Sequence, residues 1–224
     1  MTRRKPRKVD IARPVMTKND AAAAVNRERF AKSGALVLNM ISSPGSGKTT
    51  LLEAMGEVLG HRLAVIEGDV QTRRDAERLG AAGIRAVQIE TGGACHLDAP
   101  RVAGVLDELA LDDNPPEILV IENVGNLVCP SSFDLGEHMK VALLSLPEGD
   151  DKVLKYPAVF ARIRVLLVTK IDLLPHLDFD VDRVVAECAS LNDAFETFRV
   201  SARTREGVKT FCEFLLRRRR ELRT

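Results

Sequence analysis

Asn39-Met40-Ile41-Ser42-Ser43-Pro44-Gly45-Ser46-Gly47-Lys48-Thr49-Thr50 joins an apolar run at 35–41 to an apolar helical face opened by Leu51, Leu52 and Met55. Strand, small-residue loop and helix, in that order, is the setting a phosphate-binding loop requires. Gly45 and Gly47 allow a tight turn, so successive backbone N–H groups can face one anion. The helix that follows adds its partly positive N-terminus. Lys48 is placed to reach the outer phosphates, and the Thr49 hydroxyl to ligate Mg²⁺. Pro44, Ser46 and Thr50 complete the loop. The usual first glycine of G-x-x-x-x-G-K-S/T is Ser42 here, a residue small enough for the turn. The stretch predicts an α/β P-loop NTPase fold, a mainly parallel sheet with helices on both faces.

A chain of 224 residues with 45% hydrophobic content suits one large α/β domain with a sizeable core. Its formal net charge of +1 exerts no general pull on nucleic acid or membrane surfaces, and neither is expected as a partner. The basic start, Arg3-Arg4-Lys5-Pro6-Arg7-Lys8, is followed by no apolar segment of the kind a secretory signal needs. Without such a signal, four cysteines in a chain this long read as thiols or ligands rather than disulfides, and the expected location is cytoplasmic.

Residues 1–16 read as a flexible tail and 17–224 as a single domain. Asn19 or Asp20 offers a cap for a first helix that Ser33-Gly34 ends. Strand patterns follow at 63–66, 84–89, 118–121, 140–146, 164–169 and 197–200. Helical spacing separates several of them, at 72–79, from Asp98 through Leu109, and at 181–191, while 207–219 closes the chain. Strands alternating with helices imply the parallel sheet already suggested by the loop.

Two further strand ends carry nucleotide chemistry. Ile118-Leu119-Val120-Ile121-Glu122 is an apolar strand ending in a carboxylate, the pattern that holds Mg²⁺ directly or through water. Asp69, closing the preceding Glu67-Gly68-Asp69, is a second candidate for that ion. Val168-Thr169-Lys170-Ile171-Asp172 supplies a base site. A carboxylate at Asp172 accepts from both N1–H and the 2-amino group of guanine, donors that adenine lacks. Thr169 stands where the usual Asn-Lys-x-Asp motif has Asn, which leaves one supporting hydrogen bond in question. Ser201-Ala202, after the next short strand, matches the loop that supports guanine O6 through a backbone N–H.

A third constellation is Glu90-Thr91-Gly92-Gly93-Ala94-Cys95-His96-Leu97-Asp98-Ala99. Adjacent Cys and His point apart on a regular element, so joint ligation needs irregular backbone, which Gly92-Gly93 supplies. Thiolate plus imidazole suits Zn²⁺, and Ni²⁺ where the geometry can become square-planar. Cys129 lies just past Glu122-Asn123-Val124-Gly125, in the loop expected to sense a γ-phosphate. Three ligands leave a position for water or for a group from a second subunit. Taken singly, Cys95 and Cys129 read as small buried hydrophobes and His96 as a polar residue at a helix start. Cys188 and Cys212, at apolar helical spacing, are assigned to packing.

These motifs resemble those of the hydrogenase nickel-incorporation GTPases, the HypB family of dimerising P-loop metallochaperones. The resemblance runs from Ala35 to Phe214, its specific parts being Ser43-Pro44-Gly45-Ser46-Gly47-Lys48-Thr49-Thr50, Glu67-Gly68-Asp69-Val70, Thr91-Gly92-Gly93-Ala94-Cys95-His96-Leu97-Asp98-Ala99, Glu122-Asn123-Val124-Gly125-Asn126-Leu127-Val128-Cys129-Pro130 and Glu148-Gly149-Asp150-Asp151-Lys152. Of these, Cys95-His96-Leu97-Asp98-Ala99 is the most discriminating. The related urease nickel GTPases carry Cys-Pro-His instead. The resemblance implies binding and hydrolysis of GTP with Mg²⁺, release of GDP, and GTP-driven homodimerisation. It also implies a Zn²⁺ or Ni²⁺ site of Cys95, His96 and Cys129 at the dimer interface. Implied partners are other nickel-delivery and maturation proteins and the hydrogenase large-subunit precursor. Some members carry N-terminal Cys-rich or His-rich nickel stretches; Met1 to Phe30 contains neither residue, so nickel storage there is not expected. Asn126 rather than Gln follows Glu122-Asn123-Val124-Gly125, which leaves no evident water-orienting side chain. Rival readings are a P-loop small-molecule kinase or ligase using ATP, a urease-type or cobalamin-enzyme GTPase chaperone, and a non-enzymatic zinc module.

Overall fold

The structure, a computed structural model, describes residues 12–69, 74–111 and 113–222. The chain runs α1 (Ala12–Ser33), β1 (Leu36–Ser42), α2 (Lys48–Leu59), β2 (Leu63–Asp69), α3 (Arg74–Ala81), β3 (Arg85–Glu90) and α4 (Ala99–Val105). It continues through β4 (Ile118–Glu122), β5 (Met139–Ser145), α5 (Lys152–Lys155), α6 (Pro157–Phe160), β6 (Val165–Thr169), α7 (Val181–Leu191), β7 (Glu196–Val200) and α8 (Val208–Glu221). The strands form one sheet in the order β3-β2-β4-β1-β5-β6-β7. Every described pairing is parallel.

A parallel sheet covered on both faces needs strands apolar on both sides. β1, β4 and β6 are accordingly buried along their whole lengths. Leu36, Leu38 and Met40 of β1 pack with Leu52 and Met55 of α2 and Phe211 and Leu215 of α8. On the opposite face, Val37 joins Phe30 of α1 and Val102 of α4, while Ile41 joins Val184 and Cys188 of α7. β1 thus lies at the centre of the sheet, and the loop after it opens at the carboxyl ends of the strands, the crevice where such sheets bind ligands.

Two expectations change and a third lies partly outside the described residues. α1 begins at Ala12, so residues 12–16 of the expected tail are helical, and residues 1–11 lie outside those described. Pro14 falls in the first turn, where its missing N–H costs nothing. Asn19 is therefore not a cap but a buried tertiary contact. Its Nδ2 donates to the Asp134 carbonyl (2.8 Å), and its Oδ1 accepts from Ala99 N (2.9 Å). Asn26, on the same helix face, donates to the Ala99 and Leu135 carbonyls. α4 stops at Val105, because i→i+3 bonds such as Leu109 N to Leu106 O tighten the chain beyond it. Leu106 and Leu109 remain buried all the same. Lastly, α3 is described only from Arg74, so the expected start at Thr72 lies outside the described residues. Among the described residues, no helix is long and apolar enough to cross a membrane.

Candidate nucleotide and metal site

Gly45 and Gly47 adopt φ of 75° and 93°, backbone that side-chain-bearing residues rarely take, and Gly47 caps α2 in that conformation. Lys48 is buried at the helix start, and its Nζ donates to Ser42 Oγ at 2.9 Å. Ser46 Oγ donates to the same oxygen. Ser42 thus gives the loop a hydroxyl acceptor for the lysine, which a glycine lacks. Burial pushes the Lys48 ammonium below its ordinary pKa, and the Glu122 carboxylate opposes that shift. Thr49 Oγ1 donates to Glu122 Oε1 at 3.3 Å.

Pro44, Gly45, Gly47, Lys48, Thr49 and Thr50 line a cavity of about 550 Å³, closed on its far side by Glu67, Glu122, Asn123 and Gly125. Gly125 is required by close approach: a Cβ there would stand 3.0 Å from the Pro44 backbone. Asp69 ends β2 opposite Glu90 of β3. Among the described side chains, the β2 acid on the cavity wall is Glu67, register partner of Glu122, and both are buried. Glu67 has a signal of its own in the sequence, an acid inside a buried apolar strand, distinct from the strand-end pattern that points to Asp69. Arg78 of α3 also lines this cavity, paired with Glu53 (2.8 Å) and Asp75 (3.0 Å).

A second cavity, about 270 Å³, shares Gly47, Thr50 and Lys170 with the first and is lined by Ser46, Asp172 and Ala202. Thr169 Oγ1 donates to the Ser46 carbonyl (2.9 Å) and Lys170 Nζ to the Gly45 carbonyl (2.7 Å), which ties this loop to the phosphate loop. The threonine in place of asparagine therefore still supplies the link between the two loops. Ser201 Oγ donates to Asp172 Oδ1 (2.6 Å) and accepts from Thr204 N (3.1 Å), fixing the carboxylate.

Cys95, His96 and Cys129 come together: one ligand atom of each lies within 4.8 Å of the others. Residues 91–98 form neither helix nor strand, and Gly92 and Gly93 have φ of 60° and 93°, the irregular backbone that lets neighbouring side chains converge. Cys95 Sγ lies 3.4 Å from His96 Nδ1. The hydrogen bond with Cys129 raises the Cys95 thiol pKa, and burial adds to it. Burial lowers the His96 pKa, which favours the neutral imidazole that ligates metal. Phe133 stacks on the His96 ring with centroids 3.9 Å apart. Asn126 Nδ2 donates to the Cys95 carbonyl (3.3 Å), so the loop carrying Cys129 also holds the loop carrying Cys95.

Residues 36–199 match the family described as CobW/HypB/UreG, nucleotide-binding domain. The hydrogenase maturation factor HypB of Azotobacter vinelandii is 52% identical over 215 residues, 95% of this chain and 70% of the relative. The chain belongs to the HypB family of hydrogenase maturation factors. The hydrogenase/urease maturation factor HypB of Helicobacter pylori is 45% identical over 217 residues, 95% of this chain and 89% of the relative. The crystal structure of HypB from Helicobacter pylori in complex with nickel superposes with a TM-score of 0.86 at 46% identity, covering 91% of this chain and 96% of that one.

Within this HypB-family chain the four thiols divide by environment. Cys188 and Cys212 are buried, and desolvation pushes both up to about 12. Cys95 is exposed and Cys129 half-buried. Because the thiolate is the nucleophile, a thiol reagent at pH 8 should label Cys95 and Cys129 of the chelator-treated protein, and all four thiols only in denaturant. Mass mapping of the labelled peptides checks this; fast labelling of Cys188 would contradict the packing described.

Proposed function

We propose that this chain is a GTP-hydrolysing metallochaperone. In this reading it binds nickel, or zinc, at Cys95, His96 and Cys129 and delivers nickel during maturation of nickel–iron hydrogenase in the cytoplasm. One observation carries it: the loop leaving Glu122 lines the phosphate cavity at Asn123 and Gly125 and ends at the thiol of Cys129. A terminal phosphate bound there would contact the same segment that positions a metal ligand. The soft donor set suits nickel or zinc, and the nickel complex of the Helicobacter pylori relative supports nickel as the cargo.

Pro44, Gly45, Ser46, Gly47 and Thr50 cradle the phosphates, Lys48 neutralises their outer charge, and Asp172 with Ser201 and Ala202 selects guanine. The Thr49 hydroxyl and the Glu122 carboxylate, with Asp69 at the end of β2, are all-oxygen donors of the kind Mg²⁺ prefers. Mg²⁺ held there supplies charge neutralisation on the β- and γ-phosphates. Hydrolysis is slow because Asn126 rather than Gln follows Glu122-Asn123-Val124-Gly125, which leaves no evident side chain to orient the attacking water. GTP orders the loops of Cys95 and Cys129 and drives a homodimer, in which a second subunit completes the three-ligand site. Loss of the γ-phosphate relaxes the ligands and releases nickel toward other maturation proteins and the hydrogenase large-subunit precursor.

Metal and nucleotide affinities must then be coupled reciprocally, commonly about 5–150-fold. Nickel titration of the GTP- and GDP-bound protein, with mass followed by light scattering, tests this. Different affinities with a GTP-dependent dimer are expected; equal affinities in both states would remove the switch.

A further inference from the structure

We propose that Asn123 is the positioning residue that couples the phosphate site to the metal loop. The proposal rests on the GTP-gated reading above and names its physical link. Asn123 follows Glu122 directly, is 1% exposed, and lines the phosphate cavity. Its backbone N donates to the Met40 carbonyl at 3.0 Å, which anchors it to β1 just before the phosphate loop. Its Oδ1 accepts from Leu97 N at 3.0 Å and from its neighbour Val124 N at 3.1 Å. Its Nδ2 donates to Asn39 Oδ1 (3.1 Å), and Asn39 Nδ2 donates in turn to Glu137 Oε1 (3.2 Å). One buried amide therefore joins the end of β4, the centre of β1 and the residue next to His96.

Leu97 is a rigid receiver of that contact. It is fully buried among Ile66, Ile121 and Val102. It also packs so closely on Gly68 that a Cβ there would lie 2.7 Å from its side chain. A shift at the end of β4 thus reaches Leu97 N through a single side chain, and Cys95 and His96 immediately precede that point. The other link, Asn126 Nδ2 to Cys95 O, is exposed. Water can replace an exposed hydrogen bond at little cost, whereas losing a buried acceptor leaves Leu97 N unsatisfied. Burial decides between the two, and Asn123 is the stiffer connection.

The test compares nickel affinity in the GTP- and GDP-bound states of wild type, Asn123→Ala, Asn123→Asp and Asn126→Ala. The expected result is a ratio that falls to within about twofold of unity in Asn123→Ala, from the 5–150-fold usual for coupled sites. Asn123→Asp keeps the oxygen that Leu97 N needs but turns the donor to Asn39 Oδ1 into an acceptor, so its ratio should fall between those of Asn123→Ala and wild type, while Asn126→Ala should retain most of it. A ratio unchanged in Asn123→Ala overturns the proposal and leaves the switch standing. A wild-type ratio of one removes the switch and the proposal with it. Amide exchange at Leu97 in the metal-free wild type gives a second measurement that needs no variant. Protection should differ about tenfold or more between GTP and GDP, since breaking this hydrogen bond is what exposes the amide, and equal exchange overturns the coupling role.

Discussion

Replacing Asp172 with Asn should lower GTP affinity by about 10³-fold and erase the preference for guanine over adenine nucleotides, from the loss of two charge-assisted hydrogen bonds of roughly 1.5–3 kcal/mol each. The carboxylate stands on the wall of the smaller cavity with only 16% of its side chain exposed. Ser201 Oγ holds one of its oxygens, and the exposed Arg203 guanidinium lies 4.0 Å from the other. Held this way, it presents acceptors only, matching the two donors on the Watson–Crick edge of guanine. An amide offers one acceptor and one donor, so the 2-amino group would meet an N–H. Xanthine carries a 2-oxo group in that place, so its triphosphate should bind the variant better than GTP does. Competition among GTP, ATP and xanthosine triphosphate checks the order. An unchanged preference for GTP would show that the base is read elsewhere, and ATP binding as tight as GTP in the wild type would favour the kinase reading.

What could be read in advance follows from what each signal depends on. The strands of the sheet were legible because a parallel sheet leaves short, nearly unbroken apolar runs, as at Ile118–Glu122 and Val165–Thr169. The phosphate loop and the Cys95–His96 turn were legible because their chemistry is contiguous in sequence. The start of α1 was not, because Asn19 and Asp20 look like caps, and only the distant carbonyl of Asp134 and amide of Ala99 show why Asn19 is buried in mid-helix. α5 and α6 span four residues each, too short for a period to register. Glu67 carries a signal as an acid in an apolar strand, but its place beside Glu122 depends on the register of two strands more than fifty residues apart. Asn123 sits within a quoted motif, yet its partners Leu97 and Asn39 belong to other elements. Local chemistry shows in a sequence; tertiary pairing of polar groups does not.

Nickel affinity should fall about 10²-fold in Cys95→Ala and by a similar factor in Cys129→Ala, dividing the roughly 10–16 kcal/mol of a four-ligand soft-metal site among its ligands. In the absence of metal, GTP affinity should stay within about twofold in both, because neither thiol lines the phosphate cavity. Proton competition separates a ligand from a structural thiol. Each thiol that binds as thiolate releases a proton, so below the thiol pKa wild-type affinity should rise by about two decades per pH unit, and by about one after either substitution. The sign is fixed by Cys95, whose pKa is raised, so the proton must be displaced throughout the neutral range. His96, whose pKa burial lowers, favours the neutral ligating imidazole and so adds less slope than the thiols. Isothermal titration between pH 6.5 and pH 8 in buffers of different ionisation enthalpy counts the released protons directly. A wild-type slope that survives Cys95→Ala intact would mean that this thiol shapes the loop without touching the metal, and the site would have to be rebuilt around His96 and Cys129.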